Sequence, residues 1–389
     1  MNKFVRPLLG LVGVLSLTLT SFLPVLSGDR SPHSSTADTL PVPLWTHEVA
    51  GPGDLSAPVQ LDGDGDPHLV TFDPAAESLI YLFRKDGVWS TEVIAPFPSD
   101  AAPDDLAFDF KLDPSDKPIV AFVDIEQNSL FFGQRNNGQW EIVPITEGGR
   151  LLSLAISPDG KTHLTLVRGT SVVYMVQDGA SWLSEIIDQG PYFWNLSLAL
   201  DSQATPHVIY SGATGSFKAV RQNPHLWQRA SLPFPNVEAF ALDSEDEAHL
   251  LVTRAEPQAG RPPFALVTLS LAEQKSGQWK EVPLYQDFDW GVVPDIVVDD
   301  LDQVNIAYHD ATGRLHFQRR EVDGSLTHEI QRGSGWFVNM AVTAAPNPQP
   351  RLVHPAQGLL IFSAREETTM DWHHYLPITF SSTQATIDR

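Results

Sequence analysis

An all-β chain, folded as a ring of seven four-stranded blades, is what this sequence predicts. Three observations carry the prediction. One short pattern returns roughly every 45 residues along the 389-residue chain. Apolar residues alternate along it with the period of strands, and helical periodicity is absent from it. Each copy divides into four short apolar runs separated by turn residues.

The first two strands of each blade form the repeated pattern itself: apolar, small, apolar, Asp, a turn, then Pro-His and alternating apolar residues. It reads VQLDGDGDPHLVTFD from Val59, FKLDPSDKPIVAFVD from Phe110 and LAISPDGKTHLTLVR from Leu154. It continues as LALDSQATPHVIYSG from Leu198, FALDSEDEAHLLVTR from Phe240 and IVVDDLDQVNIAYHD from Ile296. The seventh copy, MAVTAAPNPQPRLVHPA from Met340, is two residues longer in its turn. Asp62 to His68, Asp113 to Ile119, Ser157 to His163, Asp201 to His207, Asp243 to His249 and Asp299 to Asn305 share one spacing. A third strand follows, as in Ser78 to Arg84, Ser171 to Gln177 or Arg314 to Arg320. A Gly- or Asn-bearing turn then leads to a fourth strand opened by Trp89, Trp140, Trp182, Trp227 or Trp279. A blade has two apolar faces and cannot bury them alone, so blades stack into a ring. The prediction is a seven-bladed β-propeller, one domain over residues 44–389.

Ring closure is expected from the N-terminal side. WTHEVA, from Trp45 to Ala50, has the form of a fourth strand yet precedes the first blade. It can complete the last blade and remove an exposed sheet edge. DWHHYLPI, from Asp371, competes for the same place.

Residues 1–27 read as a secretory signal: Lys3 and Arg6, an apolar stretch from Pro7 to Leu26, and Val25 and Ser27 before a cleavage point. The rival reading is a retained membrane anchor. A Ser/Thr/Pro-rich linker follows over residues 28–43. The chain has no cysteine, so it has no disulfide and no thiol chemistry. A secreted, periplasmic or cell-envelope location is expected. The net charge of −23 opposes binding to nucleic acid and to anionic lipid. A monomer, not inserted in a membrane after signal cleavage, is expected.

The repeat resembles the LALDSxGxPHIxYxD propeller repeat of exported bacterial proteins, sialidase-like by fold only, from about Pro43 to the C-terminus. That resemblance implies the fold and little about function, because propellers host hydrolases, lyases, lectins and scaffolds. The sialidase Asp-box is missing. The nearest string, Ser157 to Thr162, is one residue short and lies between first and second strands. Arg150, Arg168 and Arg254 are the arginines such a resemblance would gather around a carboxylate.

Residues present in every blade belong to the blade, whereas residues that break the pattern on one face are candidates for function. By that test His68, His163, His207 and His249 are structural, as are the fourth-strand tryptophans. Asp62, Asp64 and Asp66 surround a Gly-bearing turn with alternating carboxylates. They read as an Asx turn or as ligands to a structural calcium. No other cofactor is expected. The connections from fourth to first and from second to third strands share one face and break the repeat with aromatics: Tyr192, Phe193 and Trp194; Phe288 and Trp290; Trp336 and Phe337. Such rings stack on sugars or grip a peptide, or they pack between blades. Asp109 and Asp295 occupy equivalent first-strand positions with Ser153, Ser197 and Asn339, and would ring the channel mouth. Asp73, Asp124 and Asp310 follow second strands, where Arg168 and Arg254 stand in other blades. These carboxylates cap turns or meet a hydroxyl-rich or cationic ligand. The expectation is a binding or scaffold module for a glycan or protein on this face. The alternative is a polysaccharide-active glycoside hydrolase or lyase using the channel-mouth carboxylates.

Overall fold

The computed structural model of the chain describes residues 40–53, 57–96, 107–124, 126–257, 265–288, 293–331, 333 and 335–370. The expected signal, most of the linker, Trp290 and the DWHHYLPI segment lie outside them. The described residues form seven four-stranded antiparallel sheets and no helix. Within Val42–Thr368 the first strands of successive blades touch one another in cyclic order, and the seventh touches the first. This is the seven-bladed propeller, with first strands innermost: Val59–Leu61, Phe108–Leu112, Arg150–Ile156, Phe193–Leu200, Asn236–Leu242, Asp295–Val298 and Asn339–Val342. Blades are numbered here from the one that begins at Val59.

Apolar packing lies between blades. The core divides into seven clusters, one at each joint between neighbours. Second strands are therefore covered on both faces. Pro118–Asp124 is buried throughout, which explains its unbroken apolar run. The fourth-strand tryptophans belong to the joints rather than to the interior of their own blades. Trp89, Trp140, Trp182 and Trp227 each meet a ring of the preceding blade edge-on: Phe362, Tyr81, Phe132 and Tyr174, at 5.2–5.5 Å between centroids.

The spacing of six between Asp and His has a turn as its cause. Oδ1 of Asp62 accepts the N–H groups of Asp64 and Asp66, at 3.0 and 2.8 Å. Asp113, Asp201, Asp243 and Asp299 do the same in their blades. The other carboxylate oxygen meets the residue six further on: His68 at 3.2 Å, His207 at 3.3 Å, His249 at 2.9 Å and the amide of Asn305 at 2.9 Å. The turn needs one residue in the left-handed region, filled by Gly65 and Gly160 but also by Asp116, Asp246 and Asp302. Those three aspartates reach the preceding blade. Asp116 accepts the Gly63 N–H, Asp246 holds Ser202 and Asp302 holds Ser244. Asp300 accepts the Ala345 N–H in the same region.

Closure follows the N-terminal reading. Strand Leu40–Pro52 pairs with Leu359–Met370 and completes the seventh blade. It starts four residues inside the expected linker. Its contacts repeat those of fourth strands elsewhere in the ring. Trp45 meets Phe317 of blade 6 edge-on at 5.7 Å and donates its indole N–H to Glu329 at 2.5 Å. Glu48 pairs with Arg84 of blade 1 at 2.9 Å, as Glu92 pairs with Arg135 and Glu185 with Arg221 elsewhere in the ring.

Candidate functional site

The channel mouth carries a cavity of about 300 Å³ lined in part by Asp109, Lys111, Ser153, Glu238, Asp295 and Asn339. Four of these polar side chains fasten blades. An innermost strand has a free edge, and its N–H groups need acceptors. Asp109 accepts the Leu154 N–H of the next blade at 2.7 Å, and Ser153 accepts that of Leu198 at 3.1 Å. Asp295 accepts that of Met340 at 2.7 Å, and Asn339 that of Ala57 at 2.9 Å. The second oxygens of Asp109 and Asp295 accept the Phe110 and Ile296 N–H groups. Burial pushes the Asp295 carboxyl up to about 6, against the pull of these two hydrogen bonds. Asp295→Ala is expected to cost about 1–3 kcal/mol by leaving the Met340 N–H unpaired. Asp295→Asn keeps an acceptor, removes the buried charge and should cost less. Urea unfolding of both variants checks this, and equal losses would contradict it.

The carboxylates after second strands cap turns. Asp124 accepts the Gln127 N–H at 2.9 Å. Asp310 accepts from Thr312, Arg314 and His316, and these donors hold its carboxyl below the usual range despite burial. Asp73 accepts the Ala75 N–H. Arg168 lies against the Met175 sulfur. Asp62 spends both oxygens within its turn and on His68, while Asp64 is exposed. Among the described residues no group of three or more His, Cys, Asp or Glu is arranged to hold an ion.

The aromatics behave differently. Phe193 is core, but Trp194, Tyr192 and Trp336 are exposed by 38%, 54% and 63%. Trp336 stands on blade 7. Trp194 and Tyr192 form one patch, with ring centroids 6.2 Å apart. A β-bulge presents Trp194: Phe193 pairs with Gly212 and Asn195 with Ser211, so the tryptophan between them has no partner opposite. Gly212 permits this arrangement, since a Cβ there would stand 2.6 Å from the Tyr192 carbonyl oxygen. In blade 5 a second bulge, between Val237 and Ala239, turns out Glu238.

These two bulges build one polar cluster. The Trp194 indole donates to Asn236 Oδ1 at 2.7 Å, and Asn195 donates to the same oxygen at 3.0 Å. Glu238 accepts from Asn195 at 3.2 Å, from Thr253 at 2.6 Å and from Asn236. Burial pushes the Glu238 carboxyl upward, opposed by the Thr253 and Asn195 donors. A groove of about 560 Å³ runs beside Trp194 and is bounded by Pro235, Asn236, Thr253, Arg254 and Glu256. Arg254 is anchored by Glu281 at 2.8 Å and lies over Phe234. The site thus unites two expected residues, Trp194 and Arg254, with Asn195, Asn236, Glu238 and Thr253, which the sequence reading missed. A signal for Glu238 existed. The residue five before the turn Asp is Ala57, Phe108, Leu152, Leu196, Pro294 or Val338 in the other blades, an apolar column that Glu238 alone breaks.

No family model matches the chain, and no curated protein matches it. Solved structures do. A catalytically inactive virginiamycin B lyase from Staphylococcus aureus with quinupristin is 10% identical, with a TM-score of 0.57 over 83% of this chain and 99% of that one. The polysaccharide lyase Uly1 is 11% identical, with a TM-score of 0.51 over 82% of this chain and 91% of that one. Hydrazine synthase from Kuenenia stuttgartiensis is 11% identical, with a TM-score of 0.50 over 74% of this chain and 80% of that one. At such identities the likeness is one of fold.

Proposed function

We propose that this propeller is a binding module outside the cytoplasm, holding a glycan on the loop face of blades 4 and 5. One observation carries the reading: a bulge presents Trp194 to solvent beside a groove of amide, hydroxyl and carboxyl groups. A flat ring stacks on the apolar face of a sugar, and the amide and hydroxyl groups behind it hold that ring in place through their own hydrogen bonds. The hydrogen bond to Asn236 fixes the indole before a ligand arrives, which lowers the ordering cost of binding. The alternative, a hydrolase or lyase at the channel mouth, has less support. Both oxygens of Asp109 and of Asp295 are occupied by backbone N–H groups.

A glycan array with the folded propeller, coupled to an assay for released product, tests the reading. Trp194→Ala is expected to weaken the glycan found by about tenfold or more, as for a hot-spot aromatic. The thermal midpoint should barely move, because the ring is partly exposed. Trp336→Ala, which removes another exposed tryptophan, serves as the control. An array with no glycan bound would reject the proposal.

A further inference from the structure

The chain has 48 acidic residues against 25 Lys and Arg, so its cations find carboxylates nearby. Nine of the described arginines stand within ion-pair distance of one. Arg150, like Arg168, does not, among the described residues. The Arg150 guanidinium lies 4.3 Å from the centre of the exposed Tyr192 ring, and its Nη1 donates to the Phe193 carbonyl at 2.6 Å. A guanidinium has five N–H donors, and a planar fork suits a carboxylate or sulfate. Arg150, Trp194 and Asn236 are also the same position, seven before the turn residue, in three successive blades. The loop face therefore changes sign across its aromatic pair. A cation stands beside Tyr192, and beyond Trp194 lie the carboxyls of Glu238 and Glu256 with Arg254, whose charge Glu281 offsets.

We infer that the ligand is an acidic saccharide, with its carboxylate or sulfate at Arg150 and its ring on Tyr192 and Trp194. The inference rests on the glycan reading above and adds the charge of the ligand and the residue that reads it. Orientation follows from the change of sign: the acidic substituent points to blade 3, and the uncharged part of the ligand points to the groove beside Trp194.

Two probe pairs test it by calorimetry. Oligogalacturonate is compared with its methyl ester, which keeps the ring and loses the charge. Sulfated dextran is compared with dextran, which separates sulfate from carboxylate. In at least one pair the native protein should bind the charged member about tenfold tighter or more. That preference should fade as salt rises from about 0.01 to 1 M, where the screening length falls from roughly 30 to 3 Å. Arg150→Gln should abolish the preference and leave uncharged binding in place. Arg150→Lys should keep part of it, since the charge stays and the fork is lost; this variant decides the matter if Arg150→Gln does not fold. Equal affinity within both pairs overturns the inference, as does an Arg150→Gln variant that weakens both members alike, because Arg150 then only holds the Phe193 loop. An array that binds uncharged glycans alone also overturns it and leaves the glycan reading intact. An array that binds no glycan overturns both.

Discussion

A chain that begins at residue 53 should melt about 5–20 °C below one that begins at residue 40. The missing strand is Leu40–Pro52, which supplies the outer edge of blade 7. Its loss removes Trp45 from Phe317 and Glu329, and Glu48 from Arg84. Truncating a packed Trp costs about 3–5 kcal/mol, and each kcal/mol moves the midpoint of a domain of this size by roughly 2–4 °C or less. The exposed edge of Leu359–Met370 adds a site for pairing between molecules. Calorimetry and light scattering on the two chains check this. Coincident melting curves would show that the strand contributes nothing to closure.

Acid should weaken the ring between pH 6.5 and 4, above the pH at which ordinary carboxylates titrate. His163 and His309 are buried, and burial lowers both to about 4 from 6.5. For His309 the neighbouring His354 and His316 push the same way, and Asp310 opposes them. The unfolded chain then binds more protons than the folded one between pH 6.5 and 4. Stability is fully present above about 6.5 and is lost as the pH falls toward 4, on the order of 3 kcal/mol per histidine. The lowered carboxyl of Asp310 adds a loss at still lower pH. Asp295, raised to about 6, acts in the opposite sense and offsets about one histidine's share. Urea midpoints at pH 7 and pH 4.5 should therefore differ clearly. His309→Leu should shrink the difference. An unchanged slope in that variant would mean that His309 is protonated in the folded state.

Much of the architecture was legible because it depends on local rules repeated seven times. The Asp-to-His spacing reports one turn, and WTHEVA announces a missing fourth strand. The site was legible only in part. Trp194 breaks the repeat visibly, whereas Asn236 is an ordinary polar residue until a neighbouring blade brings Trp194 to it. Asp109 and Asp295 stood out as a polar column at the channel mouth. Their partners, Leu154 and Met340, lie 45 residues away on the next blade, and no local pattern links them. The tryptophans at fourth strands were legible as structural residues, but not their place between blades. They fill joints, because a blade's apolar faces are covered by its neighbours.

The fastenings between blades have a consequence for assembly. Blades 2, 3, 6 and 7 hold their successors at the channel through Asp109, Ser153, Asp295 and Asn339. Blades 1, 4 and 5 have Pro58, Ser197 and Ala239 at that position, and their successors are held at the opposite face through Asp116, Asp246 and Asp302. Near-identical modules run the risk of docking out of order or between molecules. Here four joints carry an acceptor at the channel and three at the opposite face alone, with the joint from blade 6 to blade 7 carrying both. A misplaced blade forfeits its fastening and leaves an amide unpaired. The ring thus restricts which of its members can meet: joints of two kinds exclude some orders of blades that seven identical joints would admit.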